Sequence, residues 1–567
     1  MTETGRGAAA PATTPRQSRT MTRNVLFIMC DQLRWDYLSC TGHPHLHTPN
    51  IDRLAQRGVL FDRAYVQSPI CGPSRMSFYT GRYVSSHGST WNGIPLKVGE
   101  MTLGDHLRPL GVRAALCGKT HMTADVEGMR RLGLAPDSEI GALVSECGFE
   151  PYEREDGLHP DGPRYPRNDA YDAYMKRRGW PDENPWQSVA NSAEEEDGTI
   201  LSGWFMDNAD KPARAADEES ETPYITGRAM DFIREAGDAP WCLHLSYIKP
   251  HWPYIVPAPY HDMYGPETHL PPVRSEAERA DPHPVYGAFM EERVSRAFCD
   301  DGTRTRVLTA YMGLIKQIDD QMGRLMAFLD ERGLTDETMI VFTSDHGDYL
   351  GDHWMGEKEL FHDASARIPL IVVDPRPEAD AMRGLKSDAL VEAIDVVPTI
   401  LDFFGGEAVP HIVEGRSLLP ILHKRADSVR DIAVSEYDYS MRDVRRRLGV
   451  AVKDARLTML FDGRWKYIFA EGFRPMLFDL ETDPDELTDL GADPACADRI
   501  ARFERRFFDW TRRISQRTTR SDAWIAARDT VLGEAKAGIL IGYRNEDELR
   551  DALSGTEHRG KKTGKVR

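Results

Sequence analysis

Two short apolar runs constrain this chain most: residues 24–30 (Asn-Val-Leu-Phe-Ile-Met-Cys) and 338–343 (Thr-Met-Ile-Val-Phe-Thr) are each strand-length and show no polar alternation. A strand with that look is covered on both faces, as in a mostly parallel sheet between two layers of helices. Similar runs occur at 114–117, 240–247 and 369–373, and residues 59–61 restart a strand. Between them lie helical signals. Residues 48–58 open with Thr48 as cap and Pro49 in the first turn, and close at Gly58. Residues 304–331 carry an apolar stripe that ends at Gly333. Residues 389–404 read as a further helix, bent near Pro398. The alternation predicts an α/β fold with a large, mostly parallel sheet flanked by helices.

After about residue 420 the pattern changes. Short strands at 457–461, 465–469 and 476–480 are separated by Asp462-Gly463-Arg464 and Glu471-Gly472, an antiparallel meander closed by an amphipathic helix at 500–514. The predicted organisation is a disordered extension at 1–22, a large domain at 23–420, a small α+β domain with an antiparallel sheet at 421–515, and an arm and tail at 516–567. The polar stretch 150–225 reads as insertion loops that wall a site, not as a domain.

Acidic residues number 90 against 71 Lys and Arg, a net charge of −19, which disfavours nucleic acid and anionic membranes as partners by repulsion. Any anion site must be assembled locally. Residues 1–22 hold no apolar run, so they read as neither a secretory signal nor an anchor. Eight scattered cysteines without a CxxC pair favour a reducing, cytoplasmic setting with free thiols.

In an open α/β sheet, ligands sit where strands end. Asp31-Gln32 follows the first run, where an Asp serves equally as a site residue or a turn cap. Lys119 and His121 follow the run at 114–117; two apart in an extended segment they face one side, towards a shared anion or as a plain surface loop. His251 emerges from a proline-rich loop, Asp345-His346 follows the run at 338–343, and Lys358 lies a short loop later. Cys71-Gly72-Pro73-Ser74-Arg75 enters a helix that stops at Gly81. It reads either as a buried cysteine before a helix capped by Ser74 or as a reactive group at a helix N-terminus, where negative charge is favoured. Two carboxylates, an imidazole and the Gln32 amide suit a hard divalent ion.

Cys71-Gly72-Pro73-Ser74-Arg75 resembles the signature of the type I sulfatases, in which the cysteine is oxidised before folding to a formylglycine whose hydrate is the nucleophile. Over residues 24 to 510 the order of motifs is similar to the alkaline phosphatase superfamily, and within it to the sulfatases and phosphonate monoester hydrolases. The resemblance implies a metal site of Asp31, Cys71, Asp345 and His346 holding one divalent ion, Ca²⁺ first, then Mn²⁺ or Mg²⁺. It implies catalytic roles for Cys71, Arg75, His121 and His251, with His251 as general acid. It places Gln32, Asn92, Lys119 and Lys358 on a small anionic ester. Many sulfatases carry a second Asp where this chain has Gln32, and Asn92 falls where the phosphonate hydrolases contact substrate. One hydroxyl of the hydrate attacks in line, and the other expels the product by carbon–oxygen cleavage and restores the aldehyde. The implied partners are a formylglycine-generating enzyme during maturation and further copies of this chain, because residues 521–543 resemble the arm by which phosphonate hydrolases embrace a neighbour in a tetramer. Lys119 and His121 resemble the sulfatases, so sulfate monoesters are the expected main substrates; the alternative is a phosphonate monoester hydrolase or phosphodiesterase with sulfatase side activity.

Overall fold

The computed structural model of the protein describes residues 24–160, 169–527 and 530–559; the extension expected at 1–22 and residues 560–567 of the tail lie outside them. One sheet contains β1 (Asn24–Asp31), β2 (Val59–Tyr65), β3 (Arg113–Gly118), β4 (Glu150–Arg154), β5 (Trp241–Pro250), β6 (Thr338–Ser344), β7 (Arg367–Val373) and β8 (Leu385–Glu392). Their order is β8-β2-β7-β6-β1-β5-β3-β4. Neighbours run parallel except at β7, which is antiparallel to both β2 and β6.

β1 lies inside the sheet, with Val25 opposite Cys242 on one side and Asn24 opposite Thr338 on the other. Its side chains separate by parity. Leu26, Ile28 and Cys30 join one core with α1 (Pro49–Arg57), α3 (Glu221–Ala236) and the long α4 (Asp301–Glu331). Val25, Phe27 and Met29 join the other with α2 (Cys71–Thr80) and α5 (Val396–Phe403). Both faces are covered, which is why the run carries no polar alternation.

Several local expectations are corrected. Thr48 makes no side-chain cap on α1; the backbone N–H groups of Asn50 and Ile51 donate instead to Asp319 Oδ1 of α4, at 2.8 and 2.9 Å. Residues 389–392 belong to β8, where Leu390 and Val391 pair with Arg63 and Ala64 of β2, so lateral pairing overrides the helical spacing. The helix starts only at Val396, and Pro398 falls in its first turn, where a missing N–H costs no hydrogen bond. The stretch 150–225 is more than loops: β4 pairs with β3 at the sheet edge, and Tyr171, Met175 and Trp186 form a small apolar cluster.

A second, antiparallel sheet follows the chain as β9 (Ala433–Asp438), β10 (Arg456–Phe461), β11 (Trp465–Ala470) and β12 (Met476–Asp479), with β9 unanticipated by the sequence reading. α6 (Ala497–Thr511) covers it through Phe503, whose ring stacks on Tyr467 at 5.4 Å. The sheets are tied by buried charge. The Lys466 ammonium donates to the Phe361 carbonyl at 2.9 Å and contacts Asp363 and Glu486 at 2.6 and 2.5 Å. Arg430 joins Glu392 and Asp395 in the same way. All eight cysteines are free. Among the described residues, no helix is long and apolar enough to cross a membrane.

Candidate active site

Asp31 ends β1, Asp345 and His346 follow β6, and Cys71 opens α2, so a strand end, the adjacent strand end and a helix start meet above the sheet. One ligand-type atom from each of Asp31, Cys71, Asp345 and His346 lies within 4.8 Å of all the others, and all four residues are buried. Cys71 Sγ is 3.0 Å from His346 Nε2 and 3.7 Å from Asp31 Oδ1. His346 Nδ1 donates to the Gly347 carbonyl at 2.9 Å, which leaves Nε2 bare and aimed at the cluster. The turn after His346 requires glycine, because a Cβ at Gly347 would lie 2.0 Å from the Ala364 carbonyl oxygen.

Arg75 binds this cluster together. Its guanidinium reaches Asp345 Oδ2 at 2.8 Å and Asp31 Oδ2 at 3.1 Å, and it donates to Ser246 Oγ at 2.7 Å and the Lys119 carbonyl at 2.8 Å. Arg75 is fully buried. Ser74 does not cap the helix, which begins at Cys71; its hydroxyl donates to the Asp345 carbonyl at 2.6 Å. α2 is thus fastened to the turn that presents the second carboxylate. Asn92 Oδ1 accepts from the Gly72 N–H at 2.7 Å and fixes the chain beside Cys71.

The Lys119 ammonium lies 2.6 Å from Asp31 Oδ2. His121 joins it by a different route from the one expected, since its backbone is left-handed (φ 56°) and not extended. Its Nδ1 is buried without a hydrogen-bond partner. Gln32, also left-handed (φ 65°), donates from Nε2 to Tyr254 Oη at 3.0 Å and to Asp348 Oδ2 at 2.5 Å, while its Oε1 accepts from Lys358 at 2.8 Å. Gln32 therefore serves Lys358 directly. Asp348, Tyr254 and Ser246 are not singled out by the sequence reading. Asp348 lies three residues after Asp345, the one available signal; Tyr254 and Ser246 give none beyond position near a strand end.

The electrostatics follow from burial among mixed charges. Burial pushes the Cys71 thiol up to about 12, and Asp31 adds to the rise. Burial acts the same way on Asp31, but Lys119 and Arg75 outweigh it and hold that carboxyl well below the usual range. Burial, then Lys119 for His121 and Lys358 for His251, keeps these two imidazoles neutral, and burial does the same for His346. Lys358 stays charged: burial opposes its proton, but Cys71, Glu357 and Asp31 raise its affinity above the ordinary value. Two carboxylates, a neutral imidazole and the side chain at 71 form a donor set that fits a hard divalent cation. The ammonium groups of Lys119 and Lys358 supply positive charge for an anion beside it.

A family model described as sulfatase matches residues 23–406, and one described as N-sulphoglucosamine sulphohydrolase, C-terminal, matches residues 351–513. The chain belongs to the sulfatase family and is a hydrolase of that family. It is 34% identical over 524 residues to the multifunctional alkaline phosphatase superfamily protein PehA of Trinickia caryophylli, covering 88% of this chain and 97% of that protein. It is 29% identical over 483 residues to an arylsulfatase of Clostridium perfringens, covering 83% and 90%. Among solved structures, the phosphonate monoester hydrolase SpPMH from Silicibacter pomeroyi superposes with a TM-score of 0.75 at 30% identity, covering 86% of this chain and 95% of that one.

Removing the Arg75 charge leaves two buried carboxylates facing each other. In metal-free buffer, Arg75→Met is expected to lower stability by about 3–5 kcal/mol, measured by chemical denaturation; an unchanged midpoint would show that Arg75 does not compensate the carboxylates.

Proposed function

We propose that the chain hydrolyses sulfate monoesters, with phosphonate monoesters and phosphodiesters as slower substrates, using a formylglycine made from Cys71 and one divalent ion. The observation that carries this reading is Lys119, a buried second cation 2.6 Å from Asp31, the carboxylate that itself lies 3.7 Å from Cys71 Sγ. Asp31, Asp345, His346 and the side chain at 71 would hold the ion, Ca²⁺ before Mn²⁺ or Mg²⁺ on the oxygen-rich donor set. When bound, such an ion lowers the pKa of an oxygen it touches and draws charge from the ester. The formylglycine hydrate supplies two hydroxyls on one carbon, so no separate water is needed to release the product.

The chain's own side chains do the rest. Arg75 fixes the two carboxylates, and Asn92, through the Gly72 amide, fixes the backbone at residue 71. Lys119 and Lys358 neutralise the ester's anionic oxygens, the electrostatic contribution that dominates such transfers. Gln32 holds the Lys358 ammonium in place from an amide pinned by Tyr254 and Asp348. The Trp252 carbonyl accepts from His251 Nδ1 at 3.0 Å, so Nε2 is the nitrogen that exchanges a proton with the leaving alcohol. His251 is neutral in the free protein. A bound anion would offset Lys358, which adds to burial in keeping it so, and would raise its proton affinity when a donor is required. His121 would tune the nucleophile from beside Lys119.

A second reading, phosphonate monoester or phosphodiester hydrolysis as the main activity, is favoured by Gln32 in place of a carboxylate and by the likeness to the phosphonate hydrolase structure. The surroundings proposed for the enzyme are the cytoplasm, a formylglycine-generating enzyme during maturation, and a homotetramer. The arm exposes Trp524, Ile525, Ile539, Leu540 and Ile541, the last at 75%, an apolar series that a neighbouring subunit would cover.

Four outcomes are expected. Mass spectrometry of the peptide containing Cys71 finds formylglycine in active protein, and Asp345→Asn loses both bound metal and turnover; full activity with a free thiol, or an Asp345→Asn variant with unchanged metal content and turnover, would refute the assignment. In a side-by-side kcat/KM comparison, an aryl sulfate exceeds an aryl phenylphosphonate. A phosphonate advantage beyond about tenfold, about 1.4 kcal/mol in the transition state, reverses the order of the two readings. Deleting residues 521–567 reduces the assembly seen by light scattering, and an unchanged mass would remove the arm from the interface.

A further inference from the structure

Beside the anion site lies a cavity of about 810 Å³, and its lining says what the other half of the ester is. It begins at His251 and at Glu357, the neighbour of Lys358, and extends outward between Trp252, the segment Trp204–Met206 and the pair Val294 and Ala297. We infer that this cavity is the alcohol subsite and takes an aromatic alcohol of two or more rings. The inference rests on the hydrolase reading above and holds for sulfate and phosphonate esters alike, because it concerns only the group that leaves.

Size is the first argument. Cavities of about 300–1,000 Å³ enclose ligands of several rings, so a single benzene ring would fill only part of this one. The second is the fixed placement of the aromatic walls. The Trp204 indole N–H donates to Gln187 Oε1 at 2.9 Å, and the Trp252 ring packs against Tyr254 with centroids 4.4 Å apart. Both rings are held before any ligand arrives, which limits the ordering cost of binding. Phe205 is 68% exposed at the same wall, a large apolar side chain that nothing in the fold covers.

Charge is the third argument. Glu292 and Arg442 both line the cavity and pair with each other at 3.2 Å, Arg442 also reaches Glu359 at 3.3 Å, and Glu357 lies 3.7 Å from Lys358. Arg293 is exposed on the lining. The carboxylates are thus partnered within the protein, and the aromatic faces and the exposed Arg293 are the surface left for the ligand. The polar stretch 150–225, through Trp204 and Phe205, is the part of the chain that sets this preference.

The test compares phenyl and 2-naphthyl esters, whose leaving groups are similar in acidity, in the metal-loaded, modified enzyme. The 2-naphthyl ester is expected to have a kcat/KM about tenfold higher, through KM. Phe205→Ala and Trp204→Phe are each expected to bring that ratio towards one. Running the same pair as sulfates and as phenylphosphonates separates the two ideas: if only the phosphonates react, the substrate order above fails while the ring-size ratio is still read. Binding of 2-naphthol, followed by quenching of tryptophan fluorescence, gives an activity-free reading, and Phe205→Ala is expected to weaken it several-fold. Equal kcat/KM for the one-ring and two-ring esters, equal losses for both in the variants, or no measurable 2-naphthol binding would overturn the assignment.

Discussion

Arg75 is the charge on which the site depends. Two carboxylates buried above one sheet repel each other, and the guanidinium between Asp31 and Asp345 makes their approach tolerable. Its remaining N–H groups go to Ser246 on β5 and to the Lys119 carbonyl after β3, so one side chain registers the ends of β1, β3, β5 and β6 against each other. Planarity matters here: five donors in a rigid fork serve four acceptors on four segments, which a lysine ammonium could not reproduce.

The positive charge of this acidic protein is gathered locally at the site, and the imidazoles around it are neutral. Lys119 rests on Asp31 and Lys358 on the Gln32 amide. Burial keeps His121, His251 and His346 uncharged, so the imidazoles can coordinate or exchange protons without adding to the cationic field.

The sheet is legible because β1 and β6 are buried on both faces and their sequences show it without interruption. Strand ends mark the chemistry, since Asp31, Asp345 and His346 stand at the point where apolar residues stop. What stays hidden depends on partners far away in sequence. Nothing local says that Asp319 caps the helix at Asn50, that Ser74 faces Asp345, or that Gln32 is held by Tyr254 and Asp348. The end of β8 reads as helix because Leu390 and Val391 carry a helix-compatible spacing, and only β2 beside them decides the matter. His121 arrives beside Lys119 through a left-handed turn, which does what the sequence reading asks of an extended strand.

Lys466 belongs to the second sheet, yet its ammonium holds Phe361 and Asp363, only a few residues after Lys358. The loop that carries Lys358 is therefore clamped by a strand more than a hundred residues downstream, and the two family models overlap across this same stretch, at 351–406. The small sheet is in this sense a foundation and not an appendage. Grafting the sheet of a relative onto this body would replace the hold that Lys466 has on Phe361 and Asp363, and with it the footing of the loop that carries Lys358.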